Sequence, residues 1–124
     1  MNDIIWISLG AILGANMRYL VSRTSLVYLS SSIPYGTFIV NITGSFIVGF
    51  FLAWSTQRVF IDPRWKLFIV IGFCGAYTTF SSFSYETITL FEQSDYGLAT
   101  LNFLGNNIFC LLATVAGIAL ARAI

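Results

Sequence analysis

Four long runs of apolar residues, separated by short polar stretches, dominate the pattern of this chain. They cover about 4–22, 36–56, 65–91 and 98–121. Each run is close to the roughly 20 apolar residues that a helix needs to cross a bilayer. Charged residues make up 9% of the 124 residues, whereas soluble domains carry about 25%. The sequence therefore predicts an all-α membrane protein in which 1–124 form a single domain of four transmembrane helices.

The third run contains small and polar residues where a simple membrane helix would be aliphatic. Its centre, from Gly72 to Glu86, reads GFCGAYTTFSSFSYE. Glycine weakens a helix, and Ser and Thr compete for backbone hydrogen bonds. Backbone groups freed at membrane depth are tolerated only where protein or a watery cavity meets them. We therefore predict that the third helix is broken near Gly75–Thr79 and that the broken ends hold ions.

Free carbonyl oxygens at such a break would suit a hard cation. The carbonyls of Gly75 and Thr78 would point outward and bind Na⁺, as unwound backbone does in other discontinuous membrane helices. Two chains that meet at this point would enclose the ion in a largely dry site. We expect this Na⁺ to be structural and not transported.

Aromatic and hydroxyl side chains follow the predicted break at helical spacing. Phe80 and Phe83 would share one face of a helix, and Ser81 and Ser84 another. The phenylalanines are either packing residues or rings that turn their positive edges toward a small anion. Together with the Asn41 amide, the hydroxyls would supply donors in a weakly polar lining suited to conduction.

A stripe of polar side chains runs along the fourth segment at steps of four residues: Asn102, Asn106, Cys110 and Thr114. Such side chains are costly in a membrane unless they meet protein or water. The stripe indicates either interhelical hydrogen bonds or a polar track along a permeation path. Asn41 in the second segment leaves similar alternatives, a hydrogen bond between helices or a donor offered to a ligand.

Two charged residues lie near the ends of apolar runs. Arg18 either snorkels to the interface or stands at the mouth of an anion path. Glu86 is either interfacial or part of a vestibule. Among the other cations, one predicted side of the membrane carries more: Arg58, Arg64, Lys66 and Arg122. This imbalance favours a cytoplasmic N-terminus.

Several functional classes are not supported by the composition. The chain has no His and two cysteines, Cys74 and Cys110, both inside apolar runs. We expect two free thiols, no side-chain metal cluster and no ordinary enzyme chemistry. The net charge is +1 with no basic block, so nucleic acid is not an expected partner.

Over nearly its whole length the chain resembles the Fluc (CrcB) family of fluoride channels. The similar segments are GAILGANMRY at 10–19, YGTFIVNITGSFIVG at 35–49, DPRWKLFIVIGFCGAYTTFSSFSYE at 62–86 and the polar stripe. The TTFSSFS core with GFCG before it is highly specific. The resemblance implies an antiparallel dual-topology homodimer in the cell (inner) membrane, with two fluoride pores and a central Na⁺.

The resemblance also implies roles for the candidate residues. Those assigned to the fluoride path are Asn41, Phe80, Phe83, Ser81, Ser84, Asn106, Cys110 and Thr114. Gly75 and Thr78 would give backbone carbonyls to Na⁺, and Arg18 and Glu86 would lie toward the vestibules. Cys110 departs from the family, where a hydroxyl residue is more usual and would be a stronger donor.

The expected function is a fluoride-selective channel for passive export. A weak acid that enters in its neutral form ionises inside, and the trapped anion then needs its own leak. The alternative is a drug/proton antiporter resembling the small multidrug resistance proteins, which rely on a carboxylate in the first helix. Here that segment has only Asp3, at its start. A third class is a helical assembly subunit without conduction, in which the phenylalanine–hydroxyl pattern is packing.

Overall fold

The chain is helical throughout its secondary structure. The computed structural model describes residues 2–29, 32–58 and 61–124. The three long helices are α1 (Asn2–Tyr28), α2 (Tyr35–Thr56) and α6 (Tyr96–Ala123). The third segment consists of α3 (Arg64–Lys66), a π-helix (Leu67–Cys74), α4 (Gly75–Tyr77) and α5 (Phe80–Glu92). Among the described residues, four helical stretches are long and apolar enough to cross a membrane, which confirms the prediction of a multi-pass protein.

The first helix is longer than its apolar pattern predicts. It continues to Tyr28, whereas the apolar run that predicts it ends at about residue 22. Ser25 is buried within this extension, and its hydroxyl is satisfied inside the helix, because its Oγ donates to the Val21 carbonyl oxygen at 2.8 Å. Pro34 lies just before α2 and is the first residue after α1 that has no backbone N–H to donate. A proline cannot continue the hydrogen bonds of a preceding helix.

Two tight helix contacts organise the bundle. α2 packs along α6, and α1 packs along the π-helix. At the second contact a Cβ on Gly10 would overlap the carbonyl oxygen of Phe68, and a Cβ on Gly14 would overlap that of Phe73. Gly10 and Gly14, which lie four residues apart, therefore let α1 approach the π-helix backbone closely.

The third segment changes its helical geometry before it is interrupted. Its π-helical part is eight residues long, and the sequence pattern does not predict it. π-helical turns are rare, usually occur singly, and are often found at functional sites. Here they precede the interruption directly and pack against glycine on α1.

The helix is interrupted at two residues. Thr78 has φ −83° and ψ 159°, and Thr79 has φ −151° and ψ 116°, so both are extended. Gly75 does not belong to the extended part, because its φ of −61° and ψ of −35° are helical. The next helix is capped by Thr79, whose Oγ1 accepts a hydrogen bond from the Ser82 N–H at 3.1 Å.

Candidate functional site

A groove of about 420 Å³ lies beside the interruption, between α2, α5 and α6. It brings together seven of the predicted site residues: Asn41, Thr78, Phe80, Phe83, Asn106, Cys110 and Thr114. Hydroxyl, amide, thiol and aromatic groups line the groove, and none of the described lining residues is charged. Such a lining offers weak polar contacts without a fixed charge that would trap an ion.

Asn41 connects α2 to the interrupted backbone. Its Oδ1 accepts from the Thr79 N–H at 2.8 Å, and its Nδ2 donates to the Thr79 carbonyl oxygen at 3.2 Å. The same Nδ2 donates to Oδ1 of Asn106 at 3.2 Å. Asn41 was predicted either to hydrogen-bond between helices or to offer a donor to a ligand. It makes the interhelical hydrogen bonds, and it also lines the groove.

The two phenylalanines differ strongly in exposure. Their ring centroids are 5.5 Å apart. Phe83 is 5% exposed, and its ring lies parallel to that of Phe103 at 6.1 Å. Phe80 is 77% exposed. One ring is thus fixed by packing, whereas the other forms an open edge of the groove.

The polar stripe of α6 only partly faces the groove. Thr114 lines it, and its Oγ1 donates to the carbonyl oxygen of Cys110 at 3.0 Å. Cys110 is half-buried, and both cysteines are free. Asn102 does not line the groove. It is 6% exposed and donates to Oγ1 of Thr87 at 2.9 Å.

Ser81 and Ser84 lie outside the groove lining. The hydroxyl of Ser81 pairs with Oγ1 of Thr79 at 3.2 Å. The hydroxyl of Ser84 donates to the carbonyl oxygen of Phe80 at 2.9 Å. Both hydroxyls thus contact the start of α5, and their predicted role in an ion path stays a prediction.

The carbonyls of Gly75 and Thr78 have lost their usual helical donors. In a continuous helix the Thr79 N–H would donate to Gly75, but here it donates to Asn41. Likewise, the Ser82 N–H donates to Oγ1 of Thr79 and not to the Thr78 carbonyl. Neither carbonyl is therefore engaged by the backbone donor that helical geometry would supply.

Glu86 belongs to a second recess, of about 350 Å³, between the ends of α1, α2 and α5. Its Oε1 accepts from Oγ1 of Thr37 at 2.6 Å. The other oxygen, Oε2, is buried without a hydrogen-bond partner among the described residues. Arg18 lies on α1 and lines neither this recess nor the groove. The structure therefore does not bring the two predicted vestibule residues together.

Sequence reasoning placed Thr79 in the predicted break but missed its hydrogen bonds to Asn41, and it missed Thr37 and Thr87 as partners of the site. Thr37 and Thr87 are threonines within apolar runs, where a hydroxyl can bond to its own helix and carries no specific signal. Thr37 does precede Asn41 by four residues, so the shared face was visible in the sequence. The partners across helices depend on how the helices are rotated, which the spacing alone does not give.

Comparison with known proteins identifies the family. A family model described as CrcB-like protein, Camphor Resistance (CrcB), matches residues 5–118. The chain is 51% identical over 124 residues to a protein of Koribacter versatilis named fluoride-specific ion channel FluC, covering 100% of this chain and 98% of that one. It is 43% identical over 122 residues to a protein of the same name from Sulfurihydrogenibium sp., covering 98% of each. A third protein of that name, from Methanococcus aeolicus, is 42% identical over 117 residues, 94% of this chain and 93% of that one. With the match extending over nearly all of its four spans, the chain belongs to the CrcB-like family.

Proposed function

We propose that this protein is a fluoride-selective channel that exports fluoride passively across the cell (inner) membrane. The observation that carries the proposal is the uncharged groove beside the interrupted helix, lined by aromatic, hydroxyl and amide groups. A small anion would meet ring edges there, and hydroxyl groups that would have to turn from their backbone acceptors toward it, without binding to a fixed cation. The relatives named fluoride-specific channels cover nearly the whole chain, which supports fluoride as the ion.

The same proposal includes an antiparallel dual-topology homodimer. Phe80 would be covered by a second copy, because 77% of its surface is open in a single chain although it borders the groove. Gly75 is also exposed, and a Cβ there would meet only the Val70 carbonyl oxygen, at 3.8 Å. Nothing within one described chain requires glycine at this position, which is consistent with a close approach of a second backbone.

A structural Na⁺ would lie where the two interruptions meet. The carbonyl oxygens of Gly75 and Thr78 are hard ligands, and their helical donors are engaged elsewhere. Two chains would supply four such oxygens, and further ligands would complete the shell. Bound in this way, the ion would hold the interruptions together and would not be transported.

The direct test is an efflux assay with the purified protein in liposomes. Fluoride efflux under a clamped membrane potential, without a proton gradient and without chloride efflux, would support the channel. Efflux that requires a proton gradient would instead indicate the antiporter, and absence of both would indicate a non-conducting subunit. Protein-free liposomes loaded in the same way provide the control.

The homodimer has a separate test. Gly75→Trp should leave the single chain folded, since the position is open, but should prevent the close approach of two copies. Light scattering in detergent would then report a monomer. Gly97→Trp is the matched control, because a Cβ at Gly97 meets nothing within 4 Å and the residue lies in the first turn of α6. A Gly75→Trp dimer as stable as the parent would contradict the proposed interface.

A further inference from the structure

A chain of buried and half-buried hydrogen bonds runs sideways from the groove through three helices. Nδ2 of Asn41 donates to Oδ1 of Asn106 at 3.2 Å, and Nδ2 of Asn106 donates to Oδ1 of Asn102 at 3.0 Å. Nδ2 of Asn102 donates to Oγ1 of Thr87 at 2.9 Å. Oγ1 of Thr87 then donates to the carbonyl oxygen of Phe83 at 2.7 Å. We call this series the amide chain; every donor in it points the same way, from the interruption toward Phe83.

The inner part of the amide chain is not arranged to bind a ligand. Asn106 and Asn102 are 4% and 6% exposed, and Asn102 and Thr87 are absent from the groove lining. An amide nitrogen has two hydrogens. Those of Asn41 go to Thr79 and Asn106, and Nδ2 of Asn106 contacts two oxygens of Asn102. An anion in the groove would therefore have to displace one of these acceptors to gain an amide donor.

The amide chain holds α5 at two points. At its start, Thr79 is fixed by both polar atoms of the Asn41 side chain. Two turns later, Thr87 is fixed by Asn102. A helix that follows two extended residues has no helical hydrogen bonds to set its rotation relative to the preceding helix. Two lateral anchors on α2 and α6 can set that rotation, and hence the direction of the Phe83 ring.

We propose that Asn102 and Thr87 are positioning residues that aim the Phe83 ring at the groove. The proposal rests on the proposed function, since the aimed ring matters only if an anion passes it. It concerns two side chains that do not touch the groove. If the anchor at Thr87 is removed, α5 can rotate and the Phe83 side chain no longer lines the groove as it does here.

The test uses three threonine variants with fluoride and chloride efflux as readouts. Thr87→Val keeps the shape of the side chain and removes its hydrogen bonds to Asn102 and to the Phe83 carbonyl oxygen. It should lower the ratio of fluoride to chloride flux about tenfold, a change equivalent to roughly 1.4 kcal/mol. Thr87→Ser keeps the hydroxyl, and its flux ratio should lie within about twofold of the parental ratio. A difference of that size is the usual deviation between independent substitutions. Thr56→Val is the control, since that exposed hydroxyl only bonds to the Ala53 carbonyl of its own helix.

A second readout does not depend on conduction. With 4-fluorophenylalanine at position 83, the ¹⁹F resonance should shift in Thr87→Val and return in Thr87→Ser. If Thr87→Val does not yield folded protein, Thr87→Cys, with a weaker donor, should give an intermediate shift. The positioning role would be overturned if the ¹⁹F resonance of Thr87→Val had the parental position. It would also be overturned if the resonance shifted as far in Thr87→Ser as in Thr87→Val. A parental protein that passes no fluoride would refute the proposed function, while the resonance would still decide the role of Thr87.

Discussion

The close approach between α2 and the interruption makes a quantitative prediction. Gly44 is buried, and a Cβ on it would overlap the Cγ2 methyl of Thr78. That methyl is held in place because Oγ1 of Thr78 donates to the Cys74 carbonyl oxygen at 2.8 Å. Gly44→Ala must therefore either displace α2 or rotate Thr78 and break this bond.

The expected cost follows from these two contacts. Overpacking a close-packed site costs about 1–3 kcal/mol, and a lost hydrogen bond costs about 1 kcal/mol. Replacement of a helical glycine by alanine gains about 1 kcal/mol. Because only one of the two costs is incurred, we expect Gly44→Ala to lower the free energy of unfolding by up to about 2 kcal/mol. Thr78→Ser removes the methyl and keeps the oxygen, so in that background Gly44→Ala should be neutral or stabilising.

The assay is reversible unfolding in mixed micelles of four proteins: the parent, Gly44→Ala, Thr78→Ser and the double variant. Their four free energies of unfolding give the coupling free energy between the two positions. We expect a coupling of about 2 kcal/mol, within the range found for residues in contact. Gly97→Ala is the control, because no atom lies within 4 Å of its Cβ position. An equal effect of Gly44→Ala with and without Thr78→Ser would refute the steric reasoning.

Three further predictions concern the proposed path. Phe80→Ile should remove most fluoride efflux while the dimer survives, because isoleucine removes the ring edges but keeps an apolar side chain where the second copy would cover it; unchanged efflux would take Phe80 out of the path. Asn41→Asp should suppress efflux, since it adds a repelling charge and turns donors toward Thr79 and Asn106 into acceptors; full rates would mean that neither the charge nor the lost donors matter. Purification and reconstitution with N-methylglucamine in place of Na⁺ should weaken the dimer and lower efflux, as measured by light scattering and the liposome assay, and parental behaviour would contradict a structural Na⁺.

The four spans could be predicted because length and apolarity depend only on the sequence. The position of the extended residues was predicted less well. Gly75 was expected to unwind with the rest of 75–79, yet it is helical, and the extended residues are Thr78 and Thr79. The side chain that holds Thr79 comes from Asn41, on another helix. Local helix propensity indicates that this segment forms a poor helix. Which residues become extended depends on a hydrogen bond to a residue far away in the sequence.

Rotation of the helices limited the prediction of the site. A step of four residues places Asn102 and Thr114 in one stripe, but the stripe drifts around the helix. In the structure Thr114 faces the groove, whereas Asn102 faces Thr87. The π-helix was not predictable either, because its glycine contacts with α1 belong to the packed bundle. The candidate roles of Ser81 and Ser84 in conduction stay predictions.

The length of α1 has a consequence for the recess that holds Glu86. At about 1.5 Å per residue, its 27 residues extend about 40 Å, whereas the hydrocarbon core is about 30 Å thick. With α1 centred, its last turn emerges among the lipid headgroups. Ser25 lies at this boundary and Ser22 about one turn deeper, and both line the recess. Its entrance is thus at the depth of phosphate and water, so membranes of different thickness would hydrate this carboxylate to different degrees.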